Sequence, residues 1–96
     1  MGERGMSPTQ AAKFYAQDGK EMTKLKRLRV AKEFSQSELA AVSGIPVRRI
    51  QHYEQRKRPI DGARIETLCN LALALDCGIE DIIESESIIE KLRMTK

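Results

Sequence analysis

Apolar residues recur every three or four positions through most of the chain, a spacing that predicts a series of short helices. The first of the main series covers residues 21–32, where Met22, Leu25, Leu28 and Arg29 share one face. The other basic residues of this segment fall outside that face. The segment is therefore predicted to be an amphipathic helix that carries an arginine on its apolar side.

A second helix is predicted over residues 36–43, because its start signal is strong. Ser35 can accept a hydrogen bond from the N–H of Glu38 while the Glu38 side chain reaches back to Ser35. Gly44 then ends the helix, since a sharp turn needs a positive φ, which glycine adopts without strain. The pattern predicts two helices joined by a tight turn.

The third helix is predicted to follow at once, over residues 47–54. Pro46 has its φ preset near helical values, so a helix can begin directly after it. Ile50 and Tyr53 are spaced to face inward, and Ile45 fills the corner before them. The flanks and the outer face then carry Val47, Arg48, Arg49, Gln51 and His52.

The C-terminal half predicts two or three further helices. Asp61 is a candidate cap for a fourth helix that ends at Gly78. A fifth is predicted to begin at residue 79, and a sixth short helix or an extension follows a phase break at residues 85–87, where Ser87 opens a second capping signal. The apolar positions assigned to these helices are Ile65, Leu68, Cys69, Ala72, Leu75, Ile79, Ile82, Ile83, Ile88, Ile89 and Leu92.

The composition narrows the class of protein. Ninety-six residues make one small domain, and an aromatic content of only 4% suits packed helices better than a sheet. Residues 20–58 carry eleven basic and four acidic side chains, whereas residues 59–96 carry four basic and eight acidic ones. A basic centre beside an acidic tail suggests that one face binds a polyanion, and a solvated mixed surface is the alternative.

Several classes of function are not supported by the residues. The chain has no membrane-span or signal-peptide pattern, so a cytoplasmic protein is expected. Cys69 and Cys77 have no Cys-x-x-Cys spacing and only one histidine to accompany them, so we expect reduced thiols, Cys69 in the core, and neither a metal nor a cofactor. The sequence shows neither a nucleophile with an accompanying base nor a glycine-rich phosphate loop. We therefore do not expect an enzyme.

The residues around the turn are similar to those of a known family. Ala40, Gly44 and Ile50 have the helix-turn-helix spacing, with Gln36 before them and Tyr53-Glu54 after them. With Arg29 upstream, residues 22–84 resemble the Cro/lambda-repressor type of DNA-binding domain, the XRE family. The resemblance implies an all-α, five-helix domain over residues 21–84. Outside it, a start signal at residues 7–10 and a stop at Gly19 predict a short helix over 8–18 in the N-terminal arm (1–20), with a disordered arm as the alternative, and residues 85–96 are predicted to be a C-terminal helical extension.

The resemblance also implies which residues meet double-stranded DNA. A guanidinium can grip guanine O6 and N7, and a valine can pack on a thymine methyl. Solvent-exposed surface residues are the alternative at each of these positions. The residues expected to contact bases are Gln36, Val47, Arg48 and His52, and those expected to contact phosphates are Ser37, Arg49, Gln51, Arg56, Lys57 and Arg58.

One pair is expected to be structural. In the family, the residues matching Arg29 and Glu54 form a partly buried ion pair that clamps the first helix to the recognition helix, and two exposed charges are the alternative. Three positions depart from the family pattern. Pro46 replaces a side-chain cap, Ser43 replaces an apolar residue, and Arg56 stands near a frequent loop glycine, which suggests another path for that loop.

The function implied is transcription regulation, most simply repression, by a homodimer on a pseudo-palindromic site. An antitoxin or another protein-binding module that keeps the fold is the rival. The dimer is predicted to form through Ile88, Ile89 and Leu92, which lack an obvious partner in so small a domain. In the alternative, Ile88 and Leu92 fold back onto the first helix of their own protomer.

Overall fold

The computed structural model describes residues 22–95. This part of the chain contains no strand, and its α-helices are α1 (Lys24–Ala31), α2 (Gln36–Ser43), α3 (Val47–Glu54), α4 (Ile65–Leu75) and α5 (Glu86–Met94). Two 3-10 turns, Ile60–Gly62 and Ile79–Asp81, lie between the last three helices. The predicted all-α class is confirmed. The predicted helix over 8–18 lies outside the described residues.

The two central helices have the predicted bounds, and their ends have the local chemistry expected. Ser35 Oγ accepts from the N–H of Glu38 at 3.0 Å, and Glu38 Oε1 accepts from the N–H of Ser35 at 2.7 Å. Gly44 has φ +77° and donates its N–H to the carbonyl of Ala40. The Ser43 hydroxyl accepts from the N–H of Ile45 at 3.2 Å, so the polar substitution at this buried position stabilises the turn itself.

Three other helices end on residues that the sequence does not mark. Glu33, Arg56 and Asp76 have φ between +55° and +62° at the ends of α1, α3 and α4. In each case the next N–H bonds back to a carbonyl five residues earlier, as from Lys57 to His52 at 2.9 Å. This is the Schellman arrangement, which glycine usually occupies. The chain accepts left-handed strain at three side-chain-bearing residues.

The core lies between α2, α3 and α4. Helix α2 packs against both α3 and α4, and α1 packs against α3. Because all of these helices are short, tertiary packing supplies most of their stability. The most deeply buried large side chains, each at most 2% exposed, are Leu25, Leu39, Ile50, Leu71, Ile82 and Ile83.

Helix α4 corrects two predictions. Asp61 does not cap it: the residue before the helix is Arg64, which makes no capping bond, and Asp61 lies in the first 3-10 turn. The Asp61 carboxylate instead accepts from the N–H groups of Glu84 and Ser85, at 2.8 and 3.1 Å. The helix ends at Leu75, with Asp76 rather than Gly78 terminating it.

The face that α4 buries is also different from the predicted one. Ile65 is 65% exposed and Cys69 is exposed, so the prediction of a core cysteine is wrong. The helix is apolar on almost every side, and its orientation is set by the neighbours that it meets. The residues that it does bury are Thr67, Leu68, Leu71, Ala72 and Leu75.

The C-terminal segment folds back onto its own protomer. Ser85 rather than Ser87 caps α5, accepting from the N–H of Ile88 at 3.4 Å. Ile89 is 4% exposed and belongs to the core, and Ile88 and Leu92 are half-buried against it. The prediction that these three residues lack a partner within the protomer is therefore wrong. The predicted fifth helix at residue 79 is the second 3-10 turn, so α5 is the fifth helix of the described chain.

Across residues 22–95, no helix is both long enough and apolar enough to cross a membrane. The two cysteines form no disulfide. Burial raises the pKa of the Cys77 thiol above its usual value, and the carboxylates of Asp81 and Asp76 add to that effect while Lys32 opposes it.

Candidate nucleic-acid interface

Helix α3 has one buried side and one side that faces solvent. Ile50 and Tyr53 fill the core, at 0% and 4% exposed. On the other side Arg48 is exposed and Val47 is 37% exposed, while His52 is half-buried on the flank. The three side chains predicted to contact bases on this helix therefore lie on surface that another molecule can reach.

The orientation of α3 is fixed by a buried ion pair with α1. Arg29 Nε lies 2.7 Å from Glu54 Oε2, and Arg29 Nη2 lies 3.0 Å from Glu54 Oε1, so the contact is bidentate. Arg29 Nη1 also donates to the carbonyl of Phe34 at 2.7 Å. Only 10% of the arginine side chain and 2% of the glutamate side chain are exposed. Both charges are paired and hydrogen-bonded, which burial requires.

Gln36 joins the same network. Its Nε2 donates to Glu54 Oε1 at 3.0 Å, and its Oε1 accepts from Gln51 Nε2 at 3.4 Å. The amide thus links the first residue of α2 to two residues of α3. In this structure the Gln36 side chain, predicted to contact a base, is engaged within the protein, and Gln51, predicted to contact phosphate, is its neighbour. Ser37 beside them is exposed.

The basic loop after α3 keeps the geometry of a glycine-containing turn. Arg56 has φ +60°, and the N–H groups of Lys57 and Arg58 both bond to the carbonyl of His52. The expectation that an arginine here would divert the loop is not supported, because Arg56 adopts the left-handed conformation itself. The side chains of Arg56, Lys57 and Arg58 are all exposed.

An open groove of about 700 Å³ runs between α3 and the start of α4. Three arginines line it, Arg49, Arg58 and Arg64, together with a single carboxylate, Glu66. None of the three guanidinium groups is paired with a carboxylate within residues 22–95. Arginine forks suit phosphate oxygens, so the groove has the charge and donors to hold a phosphate.

Arg64 is the residue of this groove that sequence reasoning missed. It lies outside the helix-turn-helix motif, in a segment whose net charge is acidic, and only the fold brings it beside Arg49. Arg64 directly precedes α4, whose start has no side-chain cap, and nothing in the sequence marks it as a residue of the groove.

The start of α3 also has no side-chain cap. The Pro46 position makes no capping hydrogen bond, as expected for a residue without a side-chain acceptor.

No group of three histidine, cysteine, aspartate or glutamate side chains in the described chain is placed to hold a metal ion.

Two short helices joined by a glycine turn, with the second one exposed and basic, define a helix-turn-helix DNA-binding module. A helix-turn-helix family model matches residues 25–82, more than half of the chain. The chain therefore belongs to the Cro/C1-type helix-turn-helix family, also called the XRE family, as the resemblance implied. Comparisons with curated proteins and with solved structures give no match.

Proposed function

We propose that the chain is a sequence-specific regulator of transcription, acting as a repressor, that reads double-stranded DNA through the major groove with α3. The family supports DNA-binding regulation in general. The observation that carries the finer proposal is the contrast between the two sides of α3. Its inner side is held by the buried Arg29–Glu54 pair, while Val47, Arg48 and His52 remain available to a ligand.

Each of these three side chains has a distinct task on DNA. Arg48 donates two parallel hydrogen bonds to O6 and N7 of a guanine, the most frequent specific contact in the major groove. Val47 packs against a thymine methyl, and His52 exchanges a hydrogen bond with a base edge at the far end of the helix. The rigid clamp matters because it fixes where Arg48 lies without spending binding energy on ordering the helix.

Phosphate contacts then set the register of α3 in the groove. On one side Ser37 is exposed at the start of α2, and on the other side the arginine groove adds Arg49, Arg58 and Arg64. Gln36 acts by positioning: held by Glu54 and Gln51, it fixes the start of α2 beside the duplex. Lys57 and Arg56 extend the basic surface along the loop.

The unit that binds DNA is a homodimer. It acts in the cytoplasm, in association with the nucleoid. One recognition helix reads only a few base pairs, too few to select a site in a genome. Two copies related by a twofold axis require a pseudo-palindrome with half-site centres about 34 Å apart. The protein-binding or antitoxin alternative rested on the acidic, isoleucine-rich C-terminal segment, and the burial of Ile89 weakens that support.

Selection of bound sequences from random duplex DNA tests the proposal, and two variants separate the roles. Arg48→Ala should cost about 1–3 kcal/mol on the selected site and relax the preference at one position. Lys57→Ala should weaken binding on all sequences alike and reduce the slope of log affinity against log salt by about one.

Lys91→Ala is the matched control, because it removes the same charge from the exposed side of α5. It should leave both quantities unchanged. If no sequence is enriched, or if Arg48→Ala weakens all duplexes equally, the assignment of α3 to base reading is wrong.

A further inference from the structure

Helix α4 has an apolar stripe that the core does not use. Ile65 and Leu73 are 65% and 80% exposed, and the exposed Cys69 lies midway between them. Residues four positions apart lie on the same side of a helix, one turn above another, so these three form a continuous strip of surface. Among the described residues the other exposed large apolar side chains are Val42, Val47 and Met94, at 58%, 37% and 82%.

The spacing of the stripe is symmetric about its centre. Ile65 and Leu73 are each four residues from Cys69, so turning the helix end for end about Cys69 exchanges the two large side chains. When two such helices pack antiparallel, Ile65 of one copy meets Leu73 of the other, and the two Cys69 side chains meet at the axis. A twofold interface requires this self-complementarity.

We propose that the stripe binds a second copy of this chain, with the two α4 helices antiparallel across a twofold axis beside Cys69. The proposal rests on the proposed function in one respect, since it supplies the surface for the dimer that a pseudo-palindromic site requires. It replaces the C-terminal isoleucines, of which Ile89 is already buried within the protomer.

The charges around the stripe favour that arrangement. None of the three stripe residues is charged, and the Glu66 carboxylate lies at the edge of the stripe, so the centre of the contact buries no unpaired ion. The exposed Asp76 directly follows α4, while the start of α4 has no side-chain cap. In the antiparallel pair the Asp76 carboxylate of each copy lies near the positive end of the other helix.

The stripe and the DNA-facing groove lie on adjoining parts of α4. Of the α4 residues that line the groove, Thr67 projects from the opposite side of the helix, Asn70 lies further round than the stripe, and Glu66 lies at the edge of the stripe beside Cys69. Arg49 and Arg58 lie outside α4, so they can hold a DNA phosphate while a second copy covers the stripe. One strip of one helix is small beside the roughly 1,200–2,000 Å² of a stable interface, so the free protein forms a weak dimer that DNA strengthens.

A cross-linking experiment tests the interface in the absence of DNA. The full chain carrying Cys77→Ser keeps only the Cys69 thiol, and a short bis-maleimide joins two such thiols when they are close. We expect a covalent dimer from this chain. Adding Leu73→Glu should reduce its yield about fivefold to thirtyfold, the range for a central interface residue.

Met94→Glu is the matched control, because Met94 is 82% exposed and lies at the end of α5 and not on α4. It should leave the yield unchanged. Ile65→Glu should reproduce the effect of Leu73→Glu, since symmetry pairs the two residues. Circular dichroism should report the same helix content in all variants, because each substituted side chain is already exposed.

Binding to a half-site and to a palindrome then separates this inference from the proposed function. Leu73→Glu should leave half-site affinity unchanged and bring palindrome affinity down toward it. If the cross-link yield does not depend on residues 65 and 73, the stripe is not the interface, and specific DNA binding stands unaffected. If no duplex is bound specifically, the proposed function fails, and the cross-link still decides the interface.

Discussion

Glu54 is the most heavily engaged side chain of α3, since its two carboxylate oxygens accept from Arg29 and from Gln36. A glutamate that is only 2% exposed in its side chain would carry a large desolvation cost without these donors. The network therefore couples the ion pair, which joins α1 to α3, with the start of α2. Three elements share one buried charge.

Removing one member of this pair should be more costly than removing both. Arg29→Met leaves the carboxylate buried with Gln36 as its remaining side-chain donor, and we expect a loss of about 3–5 kcal/mol in the free energy of unfolding. Arg29→Met combined with Glu54→Leu should lose less than either single change, because no charge is stranded. Urea denaturation of the four proteins gives the coupling energy.

Lys32→Met serves as the comparison, since it removes an exposed cation just after α1. It should change stability by less than about 0.5 kcal/mol. If Arg29→Met behaves like Lys32→Met, the pair contributes nothing measurable to the fold.

Residue roles were predictable to different degrees. The pairing of Arg29 with Glu54 was expected from the resemblance, supported by an arginine on an apolar face. The engagement of Gln36 by Glu54 and Gln51 was not, because that contact depends on how closely α2 approaches α3. Arg64 was missed for the same reason, because the fold brings it into one groove with Arg49, which belongs to α3.

At the scale of elements, some helix boundaries were predictable from local residue types and others were not. The start of α2 was predictable because Ser35 and Glu38 form a capping box, and its end was predictable because glycine favours the left-handed conformation at Gly44. Glu33, Arg56 and Asp76 end three other helices in the left-handed conformation without any such signal. Tertiary packing imposes those ends at a local cost in strain.

That strain predicts a stabilising substitution at Arg56. Glycine at φ +60° avoids a steric cost of about 1–2 kcal/mol but loses about 0.5–1 kcal/mol of chain entropy, so Arg56→Gly should stabilise the fold by about 0.5–1 kcal/mol. Arg56→Ala removes the same charge and keeps the strain. The midpoint of urea denaturation should therefore rise for glycine and not for alanine, and equal midpoints would contradict the strain argument.

The face of α4 shows what periodicity cannot decide. Ile65, Leu68, Leu71, Leu73 and Leu75 surround the helix so completely that two different stripes fit the sequence equally well. The predicted stripe placed Ile65 and Cys69 inside, whereas the fold buries Thr67 and Leu71 instead. Only the positions of α2 and the second 3-10 turn select between them.

At the scale of the whole molecule, the C-terminal segment completes the core. Glu84 accepts from the N–H of Lys24 at 2.6 Å, at the start of α1, while Asp61 holds the N–H groups of Glu84 and Ser85. These bonds tie the beginning, middle and end of the described chain together. The sequence predicted a helical extension here, but contacts across about sixty residues have no local signature.

Truncation after Glu84 should therefore destabilise the fold rather than release a stable monomer. It removes Ile89, which is 4% exposed, together with the half-buried Ile88 and Leu92. Loss of one buried isoleucine costs about 2–5 kcal/mol, a large part of the stability of a small domain. Thermal unfolding should show a markedly lower midpoint for the truncated chain.

Ile89→Ala isolates the packing contribution within the full chain, and it should reproduce much of the loss. Glu90→Ala, one residue on and exposed, should leave the midpoint nearly unchanged. At a temperature where the truncated chain remains folded, its affinity for a half-site should match that of the full chain, because none of the proposed DNA contacts lies beyond Glu84. An unchanged midpoint after truncation would mean that α5 adds nothing to the core, and the segment would again be available to bind a partner.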